Sequence, residues 1–283
     1  MTPHQAATGF RDAATQTVLV DGTEIVYREI GPSNGIPLVA LNHLAANLDN
    51  WDPRLIDPLA ADRRIILIGY RGVGRSGGRV RPSIEQMARD VIAAVRELGL
   101  DRFDLFGLSM GGMVAQEIVA QEPERVDRLI LASSAPAGGP QVVDMTRTMI
   151  LGILRSALRF TDPTVNLFFT RTADGRTAGS EYLASLRERV TDRDAAVTPR
   201  ALWAQLAAVH RWGQRPRAGQ SLFDGPVIIL HGDSDRMIPV ANSTALAQLF
   251  PASTVTVFPN AGHGVVFQYH HDVVVAARAF LRR

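Results

Sequence analysis

The sequence predicts an α/β fold, a mostly parallel twisted sheet of about eight strands flanked by helices and interrupted by a helical insertion. Three observations carry this reading. Two β-patterned runs near the start flank Asp21-Gly22, a hairpin signal. Short apolar runs then alternate with segments of helical spacing, the pattern of a parallel sheet covered on both faces. From Gly138 to about Phe223 the alternation gives way to helical and loop patterns, and strand signal resumes at Val227–Leu230.

Residues 1 to about 14 are polar and small and are expected to form a loose arm. Strands are expected at Thr17–Val20, Ile25–Ile30, Pro37–Leu41 and Arg64–Ile68. Between the last two, Asn50–Ala60 has helix-like apolar spacing after a polar start. Ser83 opens a capping box with Gln86, and Ile84, Met87, Val91, Ala94, Val95 and Leu98 form the inward stripe of a helix ended by Gly99. Phe103–Leu108 and Val126–Leu131 follow as strands, with a helix over Met113–Gln121 between them. Val142–Arg159, Thr164–Phe169, Glu181–Val190 and Pro199–Trp212 read as four helices. Thr254–Phe258 is the last strand and Val273–Leu281 the closing helix. The expected division is a core of residues 1–138 and 224–283, with 139–223 inserted as a helical lid. That insertion would cover the C-terminal edge of the sheet, where open α/β folds bind ligands. A separate helical domain fits less well, because both ends of the segment fall between core strands.

Composition removes several function classes. The chain has 283 residues, 46% of them hydrophobic, enough for one sizeable core plus an insertion. No run of apolar residues is long enough to span a bilayer, and the N-terminus lacks a secretory pattern, so a cytoplasmic location and no membrane partner are expected. With no Cys, disulfides, thiolate metal sites and a Cys nucleophile are all absent. All 30 basic residues are Arg, which excludes a Schiff-base lysine. Net charge is only +2 and the charges are scattered, so nucleic acid is not an expected partner.

Gly107-Leu108-Ser109-Met110-Gly111 lies between an apolar run and a helical pattern, and a Ser in G-x-S-x-G at such a strand–turn–helix junction marks a nucleophile elbow. The turn strains the serine backbone and brings the residues two before and two after it together, so only very small side chains fit there. Ser109 Oγ would then stand clear of the sheet, and the Met110 N–H would face a developing oxyanion.

A hydroxyl nucleophile needs a base, and the base an orienting acid. Among the seven histidines, His4 lies in the arm, and the consecutive His270 and His271 cannot face one site together. His231 ends a strand before Gly232, and His210 sits on an insertion helix where it could line a pocket. His263 lies in Asn260-Ala261-Gly262-His263-Gly264, a Gly-flanked loop after the last strand, suited to holding an imidazole over the sheet edge. For the acid, His231-Gly232-Asp233-Ser234-Asp235 follows a strand ending over the same edge. Asp235 is favoured by the spacing to Pro239, leaving Asp233 as a turn-stabilising residue.

These motifs resemble the α/β-hydrolase superfamily over nearly the whole chain. The order Ser109, Asp235, His263 is the one that superfamily uses for its triad. Arg71-Gly72-Val73-Gly74-Arg75-Ser76 looks like its R-G-x-G-x-S turn, although Gly69 stands where the family usually has Asp. Asn42-His43-Leu44, nine residues before Trp51 when counted from Asn42, stands where the family commonly has His-Gly-x. This variant is similar to cofactor-free esterases and to enol-lactone hydrolases of the 3-oxoadipate type. The resemblance implies the α/β-hydrolase fold, an oxyanion hole from the Leu44 and Met110 N–H groups, and no metal or cofactor. A serine in the elbow argues against haloalkane dehalogenase and epoxide hydrolase chemistry, which use Asp there.

The implied activity is hydrolysis of a small to medium, mostly apolar carboxylic ester or lactone. His43, Trp203 and His210 are candidate pocket residues, and Arg155, Arg159 or Arg211 could meet a substrate carboxylate. The same triad could also serve a haloperoxidase-like perhydrolase or a C–C bond hydrolase. Outside enzymes, the alternative is a small-molecule binding protein that kept the fold and lost turnover. A homodimer is compatible with the sequence.

Overall fold

The computed structural model describes residues 9–217 and 219–282. Strands β1 (Thr15–Val20) and β2 (Thr23–Ile30) pair antiparallel across the Asp21-Gly22 turn, whose residues have φ of 46° and 72°. Then β3 (Leu38–Leu41), α1 (Pro53–Ala60), β4 (Ile65–Ile68), α2 (Ile84–Glu97), β5 (Phe103–Leu108), α3 (Met110–Gln121) and β6 (Val126–Ala132) alternate strand with helix. Four helices follow: α4 (Met145–Arg159), α5 (Pro163–Phe168), α6 (Ala173–Ser185) and α7 (Pro199–Gln214). The chain closes with β7 (Val227–Gly232), α8 (Ala241–Leu249), β8 (Thr254–Phe258), α9 (Val265–Gln268) and α10 (His270–Leu281).

The eight strands form one sheet in the order β1-β2-β4-β3-β5-β6-β7-β8, antiparallel at β1/β2 and β2/β4 and parallel from β4 onward. Every residue of β3, β4, β5 and β7 is buried, which explains their continuous apolar runs. The register aligns Leu41 with Gly107, Leu108 with Ala132, Ala132 with Leu230, and Gly232 with Phe258. The turns leaving β3, β5, β7 and β8 therefore emerge along one edge.

Three local expectations are corrected. Residues 9–14 are not a loose arm: Phe10 and Ala13 are buried, the Phe10 N–H donates to Asp57 Oδ1 at 2.7 Å, and the Arg189 guanidinium donates to the carbonyls of Phe10 and Arg11. One aromatic among small polar residues is too weak a pattern to reveal this. The part of the predicted arm containing His4 lies outside the described residues. The helix expected at Glu181–Val190 is α6, displaced toward the N-terminus. Thr172 caps it by accepting from the Gly175 N–H, and Gly179 packs where a Cβ would lie 2.9 Å from Val165. The last helix begins at His270 rather than Val273, and α8 is an element the apolar pattern did not reveal.

The segment joining α6 to α7 is fastened to the core by buried charge. Asp49 lies just after β3, and its carboxylate accepts from Arg28 on β2 at 2.6 Å, from Arg193 at 3.3 Å and from the Asp194 N–H at 2.9 Å. Arg189 adds a longer contact of 3.7 Å. Asp194 in turn accepts from the N–H groups of Leu48 and Arg75 at 3.0 and 2.7 Å. Arg28 is fully buried, so removing its counter-charge leaves an uncompensated cation. Asp49→Ala is expected to destabilise the fold by about 3–5 kcal/mol, read as a lower urea midpoint.

Candidate active site

Crowding at the turn after β5 selects glycine. A Cβ on Gly111 would lie 2.1 Å from the Leu41 carbonyl oxygen at the end of β3, and one on Gly107 2.5 Å from the Gly111 carbonyl oxygen. Ser109 between them has φ 57° and ψ −118°, a strained conformation for a residue with a side chain. It is over-determined by its neighbours. The Ser109 N–H donates to Ala132 at 2.8 Å, and its carbonyl accepts from the Gly112 N–H at 2.9 Å and from Ser134 Oγ at 2.8 Å.

Ser109 Oγ lies 2.8 Å from His263 Nε2, and His263 Nδ1 lies 2.8 Å from Asp235 Oδ2. All three side chains are buried. His263 stands on the turn between β8 and α9, and the glycines beside it reflect a close neighbour. A Cβ on Gly262 would lie 2.5 Å from the Phe168 carbonyl, which accepts the Gly264 N–H at 2.7 Å. Asp235 Oδ1 accepts from the Met237 and Ile238 N–H groups, both at 2.9 Å. The turn-stabilising bonds expected of Asp233 are thus made by Asp235, while Asp233 is exposed and accepts from Ser234 Oγ.

His231 also reaches this carboxylate. Its Nε2 is 2.8 Å from the Ile238 carbonyl and 3.4 Å from Asp235 Oδ2. Burial alone would raise the Asp235 pKa, but the His263 charge and the contacts from both histidines outweigh it and hold the carboxyl below the usual range. Position at a strand end was the only sequence signal for His231.

The turn after β3 carries Asn42, His43 and Leu44. Asn42 Oδ1 accepts the His43 N–H at 2.8 Å, Tyr70 donates its hydroxyl to the Asn42 carbonyl at 3.1 Å, and the Ala45 N–H donates to Gln205 Oε1 on α7 at 2.9 Å. Among the described residues, the N–H groups of Leu44 and Met110 donate to no oxygen. Gln205, fully buried on α7, is a contact that helical periodicity did not single out.

His43 Nδ1 lies 2.8 Å from the Leu44 carbonyl, which can only accept, so the proton sits on Nδ1. The ring meets Phe168 edge-on at 4.7 Å, and Phe168 meets His263 edge-on at 5.1 Å. Trp203 and His210 instead line a groove of about 560 Å³ between α4 and α7, with His210 Nδ1 3.3 Å from the Val143 carbonyl. Among the described residues, no hydrogen bond or ring contact joins either to Ser109, His263 or Asp235. Arg211 donates to the Pro82 carbonyl, while Arg155 and Arg159 line a separate cavity. No group of three or more His, Asp or Glu among the described residues is placed to hold a metal, and no described helix is long and apolar enough to cross a membrane.

A family model described as alpha/beta hydrolase fold matches residues 36–268. The chain belongs to this family. Within it, the chain is 29% identical to the pimeloyl-[acyl-carrier protein] methyl ester esterase of Nitrosomonas europaea, over 85% of this chain and 94% of that protein. It is 26% identical to the 2-hydroxy-6-oxo-2,4-heptadienoate hydrolase of Pseudomonas putida, over 93% and 95% of the two chains. An alpha/beta hydrolase fold protein from Chitinophaga pinensis superimposes with a TM-score of 0.90 at 30% identity, covering 97% of this chain and 99% of that one.

Burial lowers the His43 pKa to about 4 from 6.5, with the Leu44 carbonyl opposing the shift and the His263 charge adding to it. The unfolded chain therefore binds a proton here that the folded protein refuses as pH falls from 6.5 toward 4. Stability from this group is intact above that window and drops by roughly 3 kcal/mol across it. His43→Gln is expected to lose correspondingly less stability than wild type between pH 7.5 and pH 4, as measured by urea unfolding at each pH.

Proposed function

We propose that the protein is a serine hydrolase cleaving a small to medium, mostly apolar carboxylic ester or lactone through an acyl-enzyme. The observation that carries this is the unbroken contact chain from Asp235 through His263 to Ser109, with 2.8 Å at each step. In the proposed cycle, His263 Nε2 takes the Ser109 proton as Oγ attacks the carbonyl carbon. Asp235 fixes the proton on Nδ1 and stabilises the imidazolium that forms.

The tetrahedral oxyanion is assigned to the N–H groups of Met110 and Leu44, which have no other acceptor among the described residues. His263 then protonates the departing alcohol or enol, and water, activated by the same base, releases the acid. Side chains and water account for every proton and electron pair in this cycle, so no step is assigned to a metal or cofactor.

We assign residues 139–223 as a lid over a core of 1–138 and 224–283. Two contacts support it. Phe168 at the end of α5 lies against His263, and Gln205 on α7 bonds the turn that carries Leu44. The apolar preference is supported by Phe168 and Phe267, whose rings stack at 6.3 Å beside His43 and His263. The similarity to 2-hydroxy-6-oxo-2,4-heptadienoate hydrolase favours a second reading, in which a hydroxy-oxo-dienoate takes the place of the ester.

A chain-length series of p-nitrophenyl esters and lactones, run beside that dienoate, tests both readings. Ser109→Ala is expected to lower kcat by at least ~10⁴-fold with unfolding behaviour retained, and Asp235→Asn by about 10⁴-fold. Wild-type rates in Ser109→Ala would falsify the assignment of the nucleophile.

A further inference from the structure

Beside the turn that carries Asp235, lined in part by Arg236 and Met237, lies a second, differently built cavity. Its volume is about 110 Å³, and Arg155, Arg159, Arg171 and Arg236 line it together with Asn166 and Met237. By this measure a single water needs only about 10–15 Å³, so there is room for several waters or one tetrahedral ion. Among the described residues, none of the four guanidinium groups has a carboxylate within ion-pair distance. That is unlike Arg28, Arg54, Arg63, Arg64, Arg71 and Arg75, each of which is paired.

The cluster is also organised. Arg236 is pinned by its own donors to the backbone carbonyls of Asn166 and Phe169, at 2.5 and 3.1 Å. Burial lowers the Arg236 pKa, and the charges of Arg171 and Arg155 lower it further against the opposing pull of Asp235. Arg155 and Arg171 therefore act as like charges on Arg236, around a space whose lining among the described residues includes no Asp or Glu. Their positions come from α4, from the turn after α5 and from the turn after β7, so the convergence is tertiary rather than a charge run on one helix.

We infer that this cavity binds a tetrahedral oxyanion of the phosphate class. A lone carboxylate offers two oxygens and one charge, whereas a phosphoryl group offers more acceptors and up to two charges to planar donors approaching from several sides. The anion has two sources to distinguish, free phosphate or a phosphoryl group carried at the distal end of a larger ester substrate. Met237 lines the cavity while its N–H holds Asp235 Oδ1, so one residue separates this site from the proposed charge relay.

The test uses inorganic phosphate on the intact protein, with thermal unfolding followed at constant ionic strength and chloride as the counter-titrant. Phosphate is expected to raise Tm saturably. Arg155→Gln and Arg171→Gln, both exposed and without side-chain hydrogen bonds among the described residues, are each expected to weaken the apparent Kd by about tenfold. Hydrolysis of a small neutral ester should be unchanged in both variants. A Tm response matched by chloride, or an identical Kd in wild type and both variants, overturns the site.

A pair of esters differing only in a terminal phosphate separates the two sources. A lower KM for the phosphorylated ester, lost in Arg155→Gln, assigns the anion to substrate, and equal KM values assign it to free phosphate. This arm rests on the hydrolase reading. The thermal arm does not, so failure of hydrolysis alone leaves the anion site standing.

Discussion

The contact between the turn after β5 and the end of β3 is the constraint on which the site depends. At 2.1 Å from the Leu41 carbonyl oxygen, even a methyl group on Gly111 has no place to go without moving two adjacent central strands. The strained Ser109 backbone persists because the surrounding sheet supplies fixed partners for both its N–H and its carbonyl. The consequence is chemical. The same proximity that excludes side chains brings the turn carrying Leu44 beside the start of α3, where helix N–H groups are unsatisfied.

Electrostatics around Asp235 follow from a second shared neighbour. A buried carboxylate is costly unless its lone pairs are spent, and here they meet two backbone N–H groups, His263 and the more distant His231. Keeping the carboxylate charged at this depth lets it accept the Nδ1 proton of the adjacent imidazole and so fix the orientation of that ring. His43 shows the opposite outcome in the same neighbourhood. With only a carbonyl as partner and aromatic rings around it, burial wins and the ring stays neutral.

The sheet and the chain positions of Ser109, Asp235 and His263 were legible because each depends on local pattern. Parallel core strands must be continuously apolar, and a turn tolerating only glycine writes itself as G-x-S-x-G. Contacts made at a distance left no such trace. Phe10 docks through Asp57 and Arg189, residues far along the chain, and α6 is positioned by Thr172 and by glycines packing on Thr170 and Val165. Asp233 and Asp235 were separable by spacing, yet which one holds the turn is decided only by the folded backbone, where the Met237 and Ile238 N–H groups meet Asp235. Asn166, Arg171 and Arg236 carry no motif that would join them to Arg155 and Arg159. Only folding brings them around one cavity.

The helices between β6 and β7 are held unevenly, and this bears on how a substrate reaches a buried serine. The α6–α7 segment is held to β2 and to the turn after β3 through Asp49, whose buried pair with Arg28 is costly to break, while Asp192 and Asp194 add bonds to Arg75 and Leu48. By contrast α4 presents Leu154 and Leu158 to solvent at 55% and 81% exposure, and an open groove separates it from α7. Regions with few buried contacts open at lower free energy than those fixed by buried networks. Under the proposed lid assignment, entry therefore belongs to the α4 side, where helix displacement breaks no buried ion pair among the described residues, and the α6–α7 segment serves as the fixed wall.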